Sequence, residues 1–183
     1  YVGTYLREEV QAEGLVRNLS SYSHFLEIAS FSQASPLTMT RIATDVGADA
    51  KLIASYFDVT EDLLLSYRLP IFSRRAKRRL TTHPKFFYFD VGVFRTLRPK
   101  GPLDSDEELD GPSLETLFFQ HYLALGEFMQ WDQKPFFWKT ANKIEVDFVS
   151  YGEEGLFAFE IKRSPITREE DLSALRLVRQ EYH

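Results

Sequence analysis

The chain contains no cysteine. Disulfides and thiolate-bound zinc are therefore excluded, and the absence fits a reducing, cytoplasmic setting. No run reaches the about 18 apolar residues that a membrane-crossing helix needs, so no membrane partner is expected. No Gly-x-x-x-x-Gly-Lys-[Ser/Thr] occurs, so the chain should not bind ATP through a Walker loop. The four histidines, His24, His83, His121 and His183, are scattered without metal-ligand spacing. No nucleophile elbow supports serine hydrolase chemistry. The chain opens at Tyr1 with neither an initiator methionine nor a signal-peptide pattern, and so reads as a piece of a longer protein.

What is present is a large aromatic core. The chain has 183 residues, 44% of them apolar, with 16 Phe and 9 Tyr. That suffices for one large domain or two small ones. The net charge of −5 is unevenly spread: residues 1–50 sum to −3, residues 51–100 to +7 and residues 101–183 to −9. A basic segment thus lies between two acidic ones, and the total says little about partners.

The stretch Pro99 to Pro112 holds two Gly-Pro pairs and five acids. That composition breaks helix and strand, so it reads as a linker between residues 1–98 and 113–183. Before it, helices are expected over Ser21–Phe31, Thr38–Gly47 and Asp49–Tyr67. Strand-like runs follow at Leu69–Ser73 and Lys85–Asp90. The basic run Arg74, Arg75, Lys77, Arg78, Arg79 lies between the strands. Three helices and a two-stranded hairpin follow the order of a winged helix-turn-helix. The run and Lys85 would form a wing approaching phosphates, with salt-dependent and largely sequence-independent affinity. Asp49, Asp58, Glu61 and Asp62 on the third helix argue against its deep insertion in a groove. A solvated turn or a protein-binding surface is the competing account of the same charges.

After the linker the expected order is helix, three strands, helix. The helix is Ser113–Met129, the strands are Phe136–Thr140, Lys143–Ser150 and Leu156–Lys162, and the last helix starts at Arg168. Alternation puts Glu145 and Asp147 on one strand face, and Glu160 and Lys162 together on another. Glu115 lies along an aromatic stripe with Phe118, Phe119 and Tyr122, where a lone carboxylate is costly unless paired or bound to a cation. Carboxylates are the hard oxygen ligands that Mg²⁺ or Mn²⁺ prefers. A metal so held activates water and clamps phosphate, and a lysine beside it offsets transition-state charge. A lone Glu-x-Lys at a strand end is an ordinary surface ion pair. Four such groups in this order are more specific.

The set Glu115, Asp147 in Ile144-Glu-Val-Asp-Phe, and Glu160-Ile-Lys162 resembles the PD-(D/E)XK nuclease superfamily. The resemblance implies an α+β domain of αβββα order. It assigns catalysis to Glu115, Asp147, Glu160 and Lys162, and Mg²⁺ or Mn²⁺ binding to Asp147, Glu160 and Glu115. Val146 stands where the motif's proline would be, and the strand that would follow the final helix is missing. More widely, Tyr1–Arg7, Lys77-Arg-Arg-Leu and Pro84-Lys-Phe-Phe-Tyr-Phe-Asp-Val-Gly92 resemble the C-terminal region of prokaryotic predicted AAA-superfamily ATPases, of the domain of unknown function 4143 type. That resemblance spans nearly the whole chain. It makes Tyr1–Val10 the junction from a preceding ATPase module, which becomes an expected partner beside DNA. Two functions stay open: a metal-dependent nuclease, or a catalytically silent module that docks DNA or the ATPase.

Overall fold

The computed structural model describes residues 10, 16–73, 83–102 and 104–182. The fold is mixed α+β, with six helices and two three-stranded sheets among these residues. The chain divides into two units: residues 1–67 with 86–105, and residues 68–85 with 106–183.

In the first unit, α1 (Leu19–Ser30) is capped by the Asn18 side chain, which accepts from the Ser21 amide at 3.0 Å. Next come β1 (Ser35–Pro36), α2 (Met39–Val46) and α3 (Ala50–Asp62). Gly47 ends α2 in the left-handed conformation at φ 72°, as its position suggests. Thr38 holds the cap position but makes no side-chain cap bond. Asp49 caps α3 through the Leu52 amide at 2.9 Å.

The third helix is shorter than the expected span to Tyr67. Leu64 turns left-handed at φ 56°, and its amide and that of Leu65 close back on Glu61 and Thr60. Ser66 then begins β2 (Ser66–Leu69). β3 (Lys85–Tyr88) lies between β1 and β2 in a three-stranded sheet, and the expected strand Leu69–Ser73 overlaps β2 only at Leu69. α4 (Val91–Leu97) is capped by Asp90, whose Oδ1 accepts from Gly92 at 2.7 Å and Val93 at 3.1 Å. A Cβ on Gly92 would stand 2.9 Å from that oxygen, which accounts for the Asp-Val-Gly sequence. The core is aromatic: Phe25 contacts the rings of Tyr22, Tyr56 and Phe57, and Phe57 contacts Phe86. The buried Tyr88 hydroxyl donates to the Leu26 carbonyl at 2.6 Å.

The second unit contains α5 (Asp106–Met129), β4 (Gln133–Lys139), β5 (Glu145–Gly152), β6 (Gly155–Phe159), a 3₁₀ turn (Glu169–Leu172) and α6 (Ser173–Tyr182). Its αβββα order matches the sequence reading. The linker reading fails over its second half, because α5 starts at Asp106 and runs through Pro112. Asp106, Glu107 and Glu108 occupy its first turn, where carboxylates favour the helix dipole. The last helix also starts later than Arg168: the Arg168 amide donates to Asp171 at 2.8 Å and opens the 3₁₀ turn instead.

The strands pair antiparallel in the order β4-β5-β6. Gly152 opposes Gly155 across the hairpin turn. A Cβ on Gly152 would fall 1.8 Å from the Asp132 carbonyl oxygen, so only glycine fits there. β6 stops at Phe159, short of the expected Lys162.

Phe118 and Phe119 of α5 pack on Phe148, with centroids 4.9 and 5.6 Å away. A separate cluster joins Phe136, Trp138, Val146, Val149, Ala174 and Val178 to Phe72. Phe72 lies far back in the sequence. Its amide donates to the Phe137 carbonyl at 2.6 Å, and its ring meets Phe136, Tyr151 and Tyr182 at 5.5, 5.3 and 5.1 Å. Residues that read as the start of a wing thus complete the core of the second unit.

Phe72→Ala should therefore lower stability by about 3 kcal/mol, as expected for emptying an aromatic core site. Urea unfolding followed by Trp fluorescence reads it, and a loss under about 1 kcal/mol would remove Phe72 from that core. A fragment beginning at Asp106 should fail to show a cooperative melt.

Candidate functional site

Lys85 lies between phenylalanine-rich neighbours in Pro84-Lys-Phe-Phe-Tyr, and its side chain is only 2% exposed. It is the first residue of β3 and belongs to the second unit. Burying an ammonium is unfavourable unless opposite charges and acceptors surround it. Here three carboxylates do so. Lys85 Nζ stands 2.9 Å from Glu145 Oε1, 3.0 Å from Glu115 Oε2 and 3.5 Å from Asp147 Oδ1. Three oxygens satisfy the three donors of one ammonium. The rings of Phe137 and Phe148 lie 6.0 and 5.9 Å away.

Glu115 comes from α5, one turn before the Phe118 and Phe119 contacts. Glu145 and Asp147 sit two apart on β5 and so share a face. Glu145 Oε2 also binds Lys139 at 2.7 Å. Asp147 Oδ2 accepts from the Ile161 amide at 2.8 Å, just past the end of β6. Lys162 pairs with Glu160 at 2.6 Å. Among the described residues, the buried Glu160 Oε2 has no hydrogen-bond partner.

The charges respond to this geometry. Burial works against the Lys85 ammonium, but Glu115, Glu145 and Asp147 outweigh it and raise its pKa. Burial raises Glu115 to about 7, and Lys85 only partly opposes that. Burial thus outweighs the share of the Lys85 ammonium that Glu115 receives. For Glu145, burial is outweighed by Lys85 and Lys139, and its pKa falls. Glu160 is raised, first by burial; Lys162 opposes the rise and the Asp147 charge adds to it. Lys162 is itself raised, its carboxylate neighbours outweighing burial.

Of the four residues expected to converge, Glu115 and Asp147 meet on Lys85. Glu160 and Lys162 form their own ion pair, linked to Asp147 through its charge and the Ile161 amide. Lys85, expected on the wing beside the basic run, is buried instead. The remaining members of that run, Arg74, Arg75, Lys77, Arg78 and Arg79, lie outside the described residues. Sequence reading missed the joint role of Lys85 and Glu145. The available signals were one charge inside an apolar strand and the i, i+2 spacing of Glu145 and Asp147.

A divalent ion does not fit beside this lysine. It would need the same Glu115 and Asp147 oxygens that lie within 3.5 Å of the ammonium. Among the described residues, no group of three or more His, Asp or Glu side chains is disposed to hold a metal. No helix among them is long and apolar enough to cross a membrane.

The chain is thus an α+β protein whose second unit centres on a buried lysine–carboxylate cluster. Its first 104 residues match a family model described as Domain of unknown function (DUF8612), and the chain belongs to that family. Residues 110–183 match a second model, Domain of unknown function (DUF4143). The resemblance read across nearly the whole chain therefore divides between two families. No curated protein and no solved structure matches the chain.

A pH dependence follows from Glu115. Its folded pKa of about 7 exceeds the ordinary 4.5. Between those values the folded state keeps a proton that the unfolded state has lost, so stability falls as pH rises through this window. One such proton contributes at most about 1.4 kcal/mol per pH unit. Glu160 acts in the same direction. Glu115→Gln should flatten the slope of unfolding free energy between pH 5 and 7; an unchanged slope would contradict the assignment.

Proposed function

We propose that this chain is the C-terminal, nucleic-acid-facing region of an AAA-type ATPase. Its first half is winged-helix-like. Its second half is a PD-(D/E)XK-like module that binds or regulates rather than cuts. The observation that carries the silent reading is the double engagement of Asp147. One of its oxygens faces the Lys85 ammonium at 3.5 Å and the other takes the Ile161 amide at 2.8 Å. An acid committed on both sides is a structural anchor. The αβββα order and the Glu160–Lys162 pair support descent from a nuclease-like scaffold, and such scaffolds are used without cleavage. The match at residues 110–183 supports the ATPase association.

DNA is the expected ligand, contacted through Arg74, Arg75, Lys77, Arg78 and Arg79 by phosphate attraction. The Glu160–Lys162 pair favours one competing reading, an active Mg²⁺- or Mn²⁺-dependent nuclease. Cleavage assays separate the two. Labelled single-stranded, duplex and branched DNA incubated with either ion should remain intact, at the level seen with Asp147→Ala. Cleavage abolished by Asp147→Ala and Lys162→Ala would establish the nuclease instead. Binding should weaken steeply with salt and be lost on joint substitution of Arg74, Arg75, Arg78 and Arg79. Failure to bind at low salt would point to a protein partner.

A further inference from the structure

We propose that the cleft between α5 and β6 is a binding site for an apolar organic cation of the quaternary ammonium class. The inference stands apart from the nuclease-like reading, because its lining includes neither the Lys85 cluster nor the Glu160–Lys162 pair. Three observations carry it.

The first is the cleft itself. It holds about 470 Å³, within the about 300–1,000 Å³ of small-molecule sites. Phe118, His121, Tyr122 and Leu125 recur on α5 at helical spacing and so share one stripe. Phe157 and Phe159 lie two apart on β6 and share a face. Trp131 also lines the cleft and is held by the end of α5. Gln130 turns left-handed at φ 52°, and the Trp131 amide donates back to the Gly126 carbonyl at 2.9 Å. The walls are fixed by contacts within the protein. The rings of Phe118 and Phe159 pack at 5.3 Å, and the Tyr122 hydroxyl is hydrogen-bonded to Ser150 Oγ at 2.6 Å.

The second is the aromatic lining. Phe118, Tyr122, Trp131, Phe157 and Phe159 supply rings, and aromatic rings draw cations through their quadrupole. The third is charge. Among the described residues, no Lys or Arg lines the cleft, and the lining acid Glu154 makes no ion pair. His121 Nδ1 lies 2.8 Å from the Leu117 carbonyl, which can only accept, so the neutral ring keeps its lone pair on Nε2. Gln133 Nε2, buried without a hydrogen-bond partner among the described residues, is a neutral donor that suits a ligand oxygen and brings no charge. An anion would meet a carboxylate and no counter-charge. A primary ammonium is strongly hydrated and needs an acceptor for each N–H. A quaternary ammonium has no N–H and presents methyl groups to the rings, which makes it the better match. Leu125 and Phe157, 49% and 45% exposed, leave apolar surface uncovered for the rest of such a ligand.

The test uses the whole chain with acetylcholine as the probe, beside its uncharged isostere in which a carbon atom replaces the ammonium nitrogen. The indole N–H signals of Trp131 and Trp138 are followed by NMR of nitrogen-labelled protein and assigned with Trp131→Phe. Trp131 lines the cleft, whereas Trp138 is buried in the cluster with Phe136 and Val146 and serves as the internal control. Acetylcholine should move the Trp131 signal saturably and leave Trp138 in place. The isostere should bind at least about tenfold more weakly. Glu154→Gln should weaken acetylcholine about threefold and leave the isostere unchanged. Phe157→Ala should weaken acetylcholine further. Both side chains are exposed, and an unmoved Trp138 signal checks that the variants fold. Equal binding of the two compounds overturns the cation assignment, and so does acetylcholine binding that is unchanged in both variants. Absence of a saturable Trp131 shift with acetylcholine at tens of millimolar overturns the site itself.

Discussion

The second unit depends on one buried ammonium shared by three carboxylates. Lys85 brings together a helix residue, Glu115, and two strand residues, Glu145 and Asp147, far apart in the sequence. None of these groups is tolerable alone in a site walled by phenylalanine. Breaking a buried pair from one side typically costs about 3–5 kcal/mol, because the other charge stays behind. The cluster therefore fixes the position of α5 on β5 with a directionality that ring packing lacks. Phe118 and Phe119 supply apolar burial on Phe148, while Glu115 fixes the register of the helix against the strand.

The same cluster governs what the chemistry of the site can be. Glu115 and Asp147 are acids that a nuclease-like reading would assign to a metal, and both are turned to a lysine. Glu160 and Lys162 remain as a half-buried pair past the end of β6. That division separates scaffold from activity. The order of elements and the presence of the acids belong to the fold.

Some features rest on local physics alone. Asp90 as a cap, Gly47 as a stop and the turn between Gly152 and Gly155 follow from backbone needs of single residues. The αβββα order was readable from alternation and helix periodicity. The start of α5 was not. Two Gly-Pro pairs among acids read as a break, yet three carboxylates at a helix N-terminus offset part of that cost, and Leu109 is buried. The end of α3 was missed because Leu64 adopts a left-handed turn that leucine does not advertise.

The sequence by itself determined the element types, the aromatic core and the set of acids available for a site. Those follow from periodicity and composition, which act over a few residues. Only the tertiary structure decided that Phe72 belongs to the second unit's core and that Lys85 belongs among the acids. Both lie on the far side of residues 86–105, so no local pattern links them to their partners. The reason is energetic and long-range: an aromatic ring and a buried ammonium each take the partners that compensate their burial, wherever along the chain those partners occur.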